Sequence, residues 1–170
     1  MNVVIKTPFK LPIGISNFEK LIVEGATFVD KSLLIKELFE DLSQVVLLPR
    51  PRRFGKTMNM SMLHHFLRND RSSSEINLFA GLEISKHKNF CEKHQNKYPT
   101  IFVSFKSIKE NTYAQSKKAI QKLIASIYRA HQYVLDSEVL SDEERDWFRK
   151  ILQEDATDIH LKNSLRRALP

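Results

Sequence analysis

Gly55, Lys56 and Thr57 stand in a row, and their side chains suit the binding of a phosphorylated ligand. An anion of that kind needs several backbone N–H groups converging on it, and a glycine where the chain must pass close. Lys56 supplies a movable point charge for β and γ phosphates, and Thr57 supplies a hydroxyl for the Mg²⁺ that accompanies them. A helix beginning at this point adds roughly half a positive charge from its aligned peptide dipoles. The triplet alone arises by chance in on the order of one chain in ten of this length. Its surroundings therefore decide its weight.

Before it, Val45, Val46, Leu47 and Leu48 form a continuous aliphatic run, the pattern of a strand buried on both faces, ended by Pro49 and Pro51. After it, Met58, Met62 and Phe66 recur at helical spacing from Thr57 to Arg68, with Leu63 and Leu67 beside them. Strand, loop and helix are the setting a phosphate loop requires. One position departs from the plain pattern G-x-x-x-x-G-K-[ST]: Arg50 stands where the first glycine would fall. A left-handed backbone there would cost a non-glycine residue ~1–2 kcal/mol, or else Pro51 turns the loop another way.

The other elements follow from caps and periodicity. Ser16 with Glu19 forms a capping-box pattern for a short helix from Asn17 to about Val23, and 27–29 is a short extended piece. A helix over 31–41 has Asp30 as its cap. A helix over 86–95, a β-rich run over 100–105 after Pro99, and helices over 112–133 and 142–153 complete the pattern. The helix at 142 opens with Ser141 and Glu144, a second capping box, and a last helix runs from about 158.

Composition narrows the class. The 170 residues carry 27 Lys and Arg against 20 Asp and Glu, a net charge of +7 that favours anionic partners or simply a soluble surface. The single cysteine, Cys91, excludes an intramolecular disulfide framework, and no apolar run approaches the ~18 residues of a membrane span. A cytoplasmic setting with no membrane partner is the expectation.

The segment "RPRRFGKT" resembles the phosphate loop of the AAA-ATPase-like family, whose longer members commonly continue into a nuclease-like domain of the PD-(D/E)XK type. In that family the loop tends to read arginine, proline, two arginines, an aromatic and then G-K-[ST], so Arg50 fits the family better than the generic motif. "LPIGISNFEKLI", "FVDKSLLI", "MNMSMLHHFL", "LFAGLEI" and "YPTIFVSFK" are also similar to family patterns, over most of residues 11–106. The resemblance implies an α/β fold of the P-loop NTPase kind, a three-layer α/β/α arrangement on a mostly parallel sheet, with residues 1–170 as its N-terminal portion. It implies ATP and Mg²⁺ as cofactors and Arg52, Arg53, Phe54, Gly55, Lys56, Thr57 and Met58 as the binding set, Thr57 reaching the metal. ATPase activity is expected only of the complete domain, because the acidic Walker B strand would lie beyond a helix like 158–169 and no catalytic residue is assignable here. A further chain or domain supplying the rest of the sheet is the corresponding expected partner.

Several readings stay open. Asp30 and Lys31 are either a helix cap and a solvated lysine or, by resemblance, part of the nucleotide pocket with Phe28 near the base. Arg52 and Arg53 lend charge to a γ phosphate or face DNA. The alternatives to nucleotide binding are a basic nucleic-acid-binding module associated with a nuclease-like protein and a non-functional truncated remnant. His87, Cys91 and His94 share one helix face but lack a further cysteine pair, and read as a surface helix rather than a zinc site. Lys117, Lys118, Lys122 and Arg129 read as a wetted face, since no aromatics interleave with them.

Overall fold

Asn17 starts the first helix. Its backbone is extended and its side chain accepts the Lys20 N–H at 2.8 Å, so α1 runs Phe18–Val23. The cap falls one residue beyond the expected Ser16, and Phe18 and Leu21, three residues apart on the helix, share its buried face. In this computed structural model the described residues are 2–4, 9–43, 45–47, 49, 51, 54–69, 77–106, 108–138, 140–153, 161 and 163–164. They fall into two compact units, Met1–Phe102 and Val103–Pro170.

In the first unit, strand β1 (Asn2–Val4) pairs antiparallel with β2 (Phe28–Asp30), with Val3 opposite Val29. Asp30 then joins separate segments: one carboxylate oxygen accepts the Ser32 N–H and the other the Glu83 N–H, both at 2.8 Å. Ser32 Oγ accepts the Ile84 N–H at 3.1 Å. These bonds tie the start of α2 (Leu33–Glu40) to the 3-10 turn Glu83–Lys86. Helix α3 (Lys56–Leu67) is followed by the short α4 (Lys88–His94). Phe18, Ile35, Met62, Phe66, Phe79 and Ile84 form one core, contributed by α1, α2, α3 and the segment around Gly81. Phe79 stacks on Phe18 at 5.1 Å and meets Phe66 edge-on at 5.1 Å.

The second unit is helical. Its α5 (Tyr113–Ala130) starts at Thr112, whose side chain accepts the Gln115 N–H, and buries Ile124, Ala125, Ile127 and Tyr128. Helix α6 (Asp142–Leu152) buries Phe148 and Ile151. Tyr128 packs on Phe148 at 4.6 Å, and its hydroxyl donates to the Ser164 carbonyl at 2.7 Å. No helix among the described residues is long and apolar enough to cross a membrane.

The expected three-layer α/β/α sheet is overturned. Among the described residues the structure is mostly helical, 55% helix against 4% strand, and the strands are the two three-residue pieces β1 and β2. Val45–Leu47 is irregular and lies open to solvent, with Val45 84% and Leu47 82% exposed, where burial on both faces was expected. The 101–105 run is likewise irregular, and Phe105 is 61% exposed. Apolar and β-branched composition favours a strand only when a neighbouring strand takes up its N–H and C=O groups. Among the described residues neither run has one. Only a single parallel bridge forms nearby, Arg68 with Tyr98. Leu48 lies outside the described residues.

Candidate phosphate-binding site

Gly55 has φ 75° and ψ 16°, the left-handed conformation, and is the cap residue of α3. Among the described residues the nearest atom to a Cβ added there is Asn59 Oδ1 at 4.0 Å, an ordinary contact distance. The need for glycine is therefore one of backbone conformation and not of crowding, and any L side chain would cost ~1–2 kcal/mol. The left-handed Gly55 precedes α3, which starts at Lys56, and the Asn59 N–H donates to the Gly55 carbonyl at 2.9 Å.

A helix leaves its first N–H groups without intrahelical acceptors. In α3 the cap residue, Gly55, has no side chain to offer that end, and the first turn holds no acidic residue. The dipole contributes roughly half a positive charge there. Lys56 and Thr57 are solvent-exposed, and Phe54 is 57% exposed. Met58 points the other way, half-buried against the core. Of the expected binding set, Phe54, Gly55, Lys56 and Thr57 thus gather at one exposed helix start, where Met58 has only its backbone to offer. Arg50, Arg52 and Arg53 lie outside the described residues.

What holds this helix start in place is the buried side of α3. Ser61 Oγ accepts the Phe18 N–H at 3.0 Å, fixing α3 to α1, and Met62 and Phe66 sink into the core. Leu67 O and Phe66 O accept the N–H groups of Tyr98 and Asn96. His65 is buried beside Glu19, with Nδ1 3.9 Å from Oε2. Burial, and then the Arg68 guanidinium, push its pKa down to about 4, with Glu19 pulling the other way. A neutral ring therefore sits on the buried face of α3 at neutral pH. His64 meets the Thr100 hydroxyl at 3.0 Å.

The remaining candidates are placed differently. Phe28 turns its ring edge-on to Phe18 at 6.2 Å and belongs to the rim of the core. Both carboxylate oxygens of Asp30 accept backbone N–H groups, so it acts as a structural clasp. Cys91 Sγ donates to the Ile84 carbonyl at 3.3 Å, and burial raises its thiol pKa. His94 Nδ1 lies 2.6 Å from the Tyr98 hydroxyl, within rings from Phe39, Phe90 and Tyr98. Among the described residues no group of three or more His, Cys, Asp or Glu is arranged to hold a metal. On α5, Lys118, Lys122 and Arg129 are exposed and Lys117 is partly so.

Sequence reasoning passed over Asn59 and Ser61. The spacing of Asn59 from Gly55, one helical turn, was the available signal for the first. Nothing in the sequence announced that Ser61 would cap the first amide of α1.

The described residues define a largely helical protein in which a basic helix start, capped by a glycine, is exposed. The AAA-ATPase-like family, described as a predicted AAA-ATPase, matches residues 12–165, and the chain belongs to that family. At a coarse level this membership is consistent with nucleotide binding. No curated protein and no solved structure matches the chain.

Proposed function

We propose that the chain binds a nucleoside triphosphate, ATP with Mg²⁺, through the turn Gly55–Thr57. The observation that carries this reading is the left-handed Gly55 that starts α3, followed directly by exposed Lys56 and Thr57. Polyphosphate is the ligand that such an arrangement suits. The first-turn amides and the helix dipole favour an anion, and the Lys56 ammonium adds a charge that can follow the outer phosphates. The Thr57 hydroxyl is the side-chain oxygen of the triplet, suited to a hard cation bound with the nucleotide. Magnesium there would neutralise charge shared by neighbouring phosphates. Family membership supports the same ligand at the coarse level.

The test is a titration of the full chain with a fluorescent ATP analogue, with and without Mg²⁺. Saturable, Mg²⁺-dependent binding that weakens at least ~10-fold in Lys56→Ala is expected, the size of one lost charge-assisted contact. Equal affinity in Lys56→Ala would contradict the proposal. So would DNA binding that falls steeply with salt, paired with no response to ATP, and that outcome would favour a nucleic-acid module.

A further inference from the structure

We infer that the Asn59 carboxamide is a further phosphate contact of this site, an inference that rests on the nucleotide reading above. Asn59 follows Gly55 by four residues, one helical turn, and helical side chains lean toward the N-terminus. Its side chain therefore reaches back over the phosphate turn: Oδ1 lies 4.0 Å from where a Gly55 Cβ would stand. Among the described residues no other atom comes within 4 Å of that point.

The carboxamide is also uncommitted. Asn17 and Asn77 each use Oδ1 to accept a backbone N–H two or three residues on. Asn59 is half-buried, yet among the described residues its side chain has no hydrogen-bond partner. Its backbone N–H is used up on the Gly55 carbonyl, which pins the residue to the turn. A half-turn of the terminal torsion presents the Nδ2 group instead of Oδ1, and an NH₂ donor is what an anion in the turn would select. Met58 and Met62 on the neighbouring core-facing side are turned into or against the core, so Asn59 is the polar side chain of the helix's first turn and a half that is neither in the G-K-T triplet nor used inside the fold.

A phosphate contact and a purely structural role separate in the Asn59→Asp variant. A carboxylate near the start of a helix favours the helix, because it meets the positive end of the dipole. The same carboxylate facing a bound phosphate repels it. Stability and ligand affinity should therefore move apart. The experiment measures Mg²⁺-ATP and inorganic tripolyphosphate affinity by calorimetry, together with Tm, for the wild type, Lys56→Ala, Asn59→Ala and Asn59→Asp. Asn59→Ala is expected to weaken both ligands about 10-fold, the effect of one hydrogen bond to a charged group. Asn59→Asp is expected to weaken them more than Asn59→Ala does, with Tm unchanged or raised. Asn59→Asp binding within twofold of wild type, or losses that merely track a falling Tm, would overturn the inference. If Lys56→Ala loses the ligand while both Asn59 variants keep it, only the role of Asn59 falls. If the wild type binds neither ligand, both proposals fall.

Discussion

Helices α3 and α6 begin in opposite ways. At α6, Ser141 Oγ accepts the Glu144 N–H at 3.3 Å and the Glu144 carboxylate accepts the Ser141 N–H at 2.9 Å, while Asp142, Glu143 and Glu144 all sit in the first turn. Its donors and its dipole are satisfied by its own side chains. At α3 the cap is a left-handed glycine with no side chain to offer, the first turn holds no acid, and Lys56 adds positive charge. A helix start of the first kind stabilises itself and has little left for a ligand. One of the second kind must be held by something else, and here that is the core beneath it.

If the core holds α3, removing its largest support there should have the largest effect. Phe66 is fully buried, against Phe79 and Phe90. Phe66→Ala is expected to lower unfolding free energy by ~3–5 kcal/mol in a denaturant titration. A loss under about 1 kcal/mol would mean that α3 owes its place to something other than this core.

Acid should act on the same side of the contrast. The unfolded His65 titrates near 6.5 and the folded one near 4, so between these values the unfolded chain binds the extra proton. Stability from a neutral His65 is thus fully present above pH 6.5, declines as the pH falls toward 4 and is gone below it. The loss is on the order of 2–3 kcal/mol. His65→Gln should flatten this part of the pH–stability curve, and an unchanged slope would remove His65 as its cause.

The smallest effect belongs to α6. Ser141→Ala is expected to cost ~1 kcal/mol in thermal or denaturant unfolding and to leave ATP affinity unchanged. Weaker ATP binding in that variant would blur the distinction between the two helix starts.

Local chemistry was well legible in the sequence. The Ser141–Glu144 capping box reads directly from residue spacing and is formed as read. The start of α3 also follows from Gly55, since few other residues tolerate its backbone. The α1 cap moved from Ser16 to Asn17 because both have acceptor side chains and only the local backbone chooses between them. The 45–48 and 100–105 runs misled for a different reason. Aliphatic composition reports a wish for burial, and a strand also needs a partner ladder that no single segment can declare. Asp30 shows the same limit: Glu83, the second amide its carboxylate takes up, lies 53 residues away, and that separation is invisible to pattern reading. Of the candidate site, the place of the G-K-T triplet at a helix start was legible, whereas the inward turn of Met58 and the reach of Asn59 over Gly55 needed the helix to be built.

The contrast between the two helix starts is most directly tested by amide chemical shifts of the full chain as Mg²⁺-ATP is added. Large, saturable shifts at Gly55, Lys56, Thr57 and Met58, with none at Asp142, Glu143 and Glu144, are the expected result. Shifts at neither helix start, or equal shifts at both, would contradict the assignment of phosphate binding to α3.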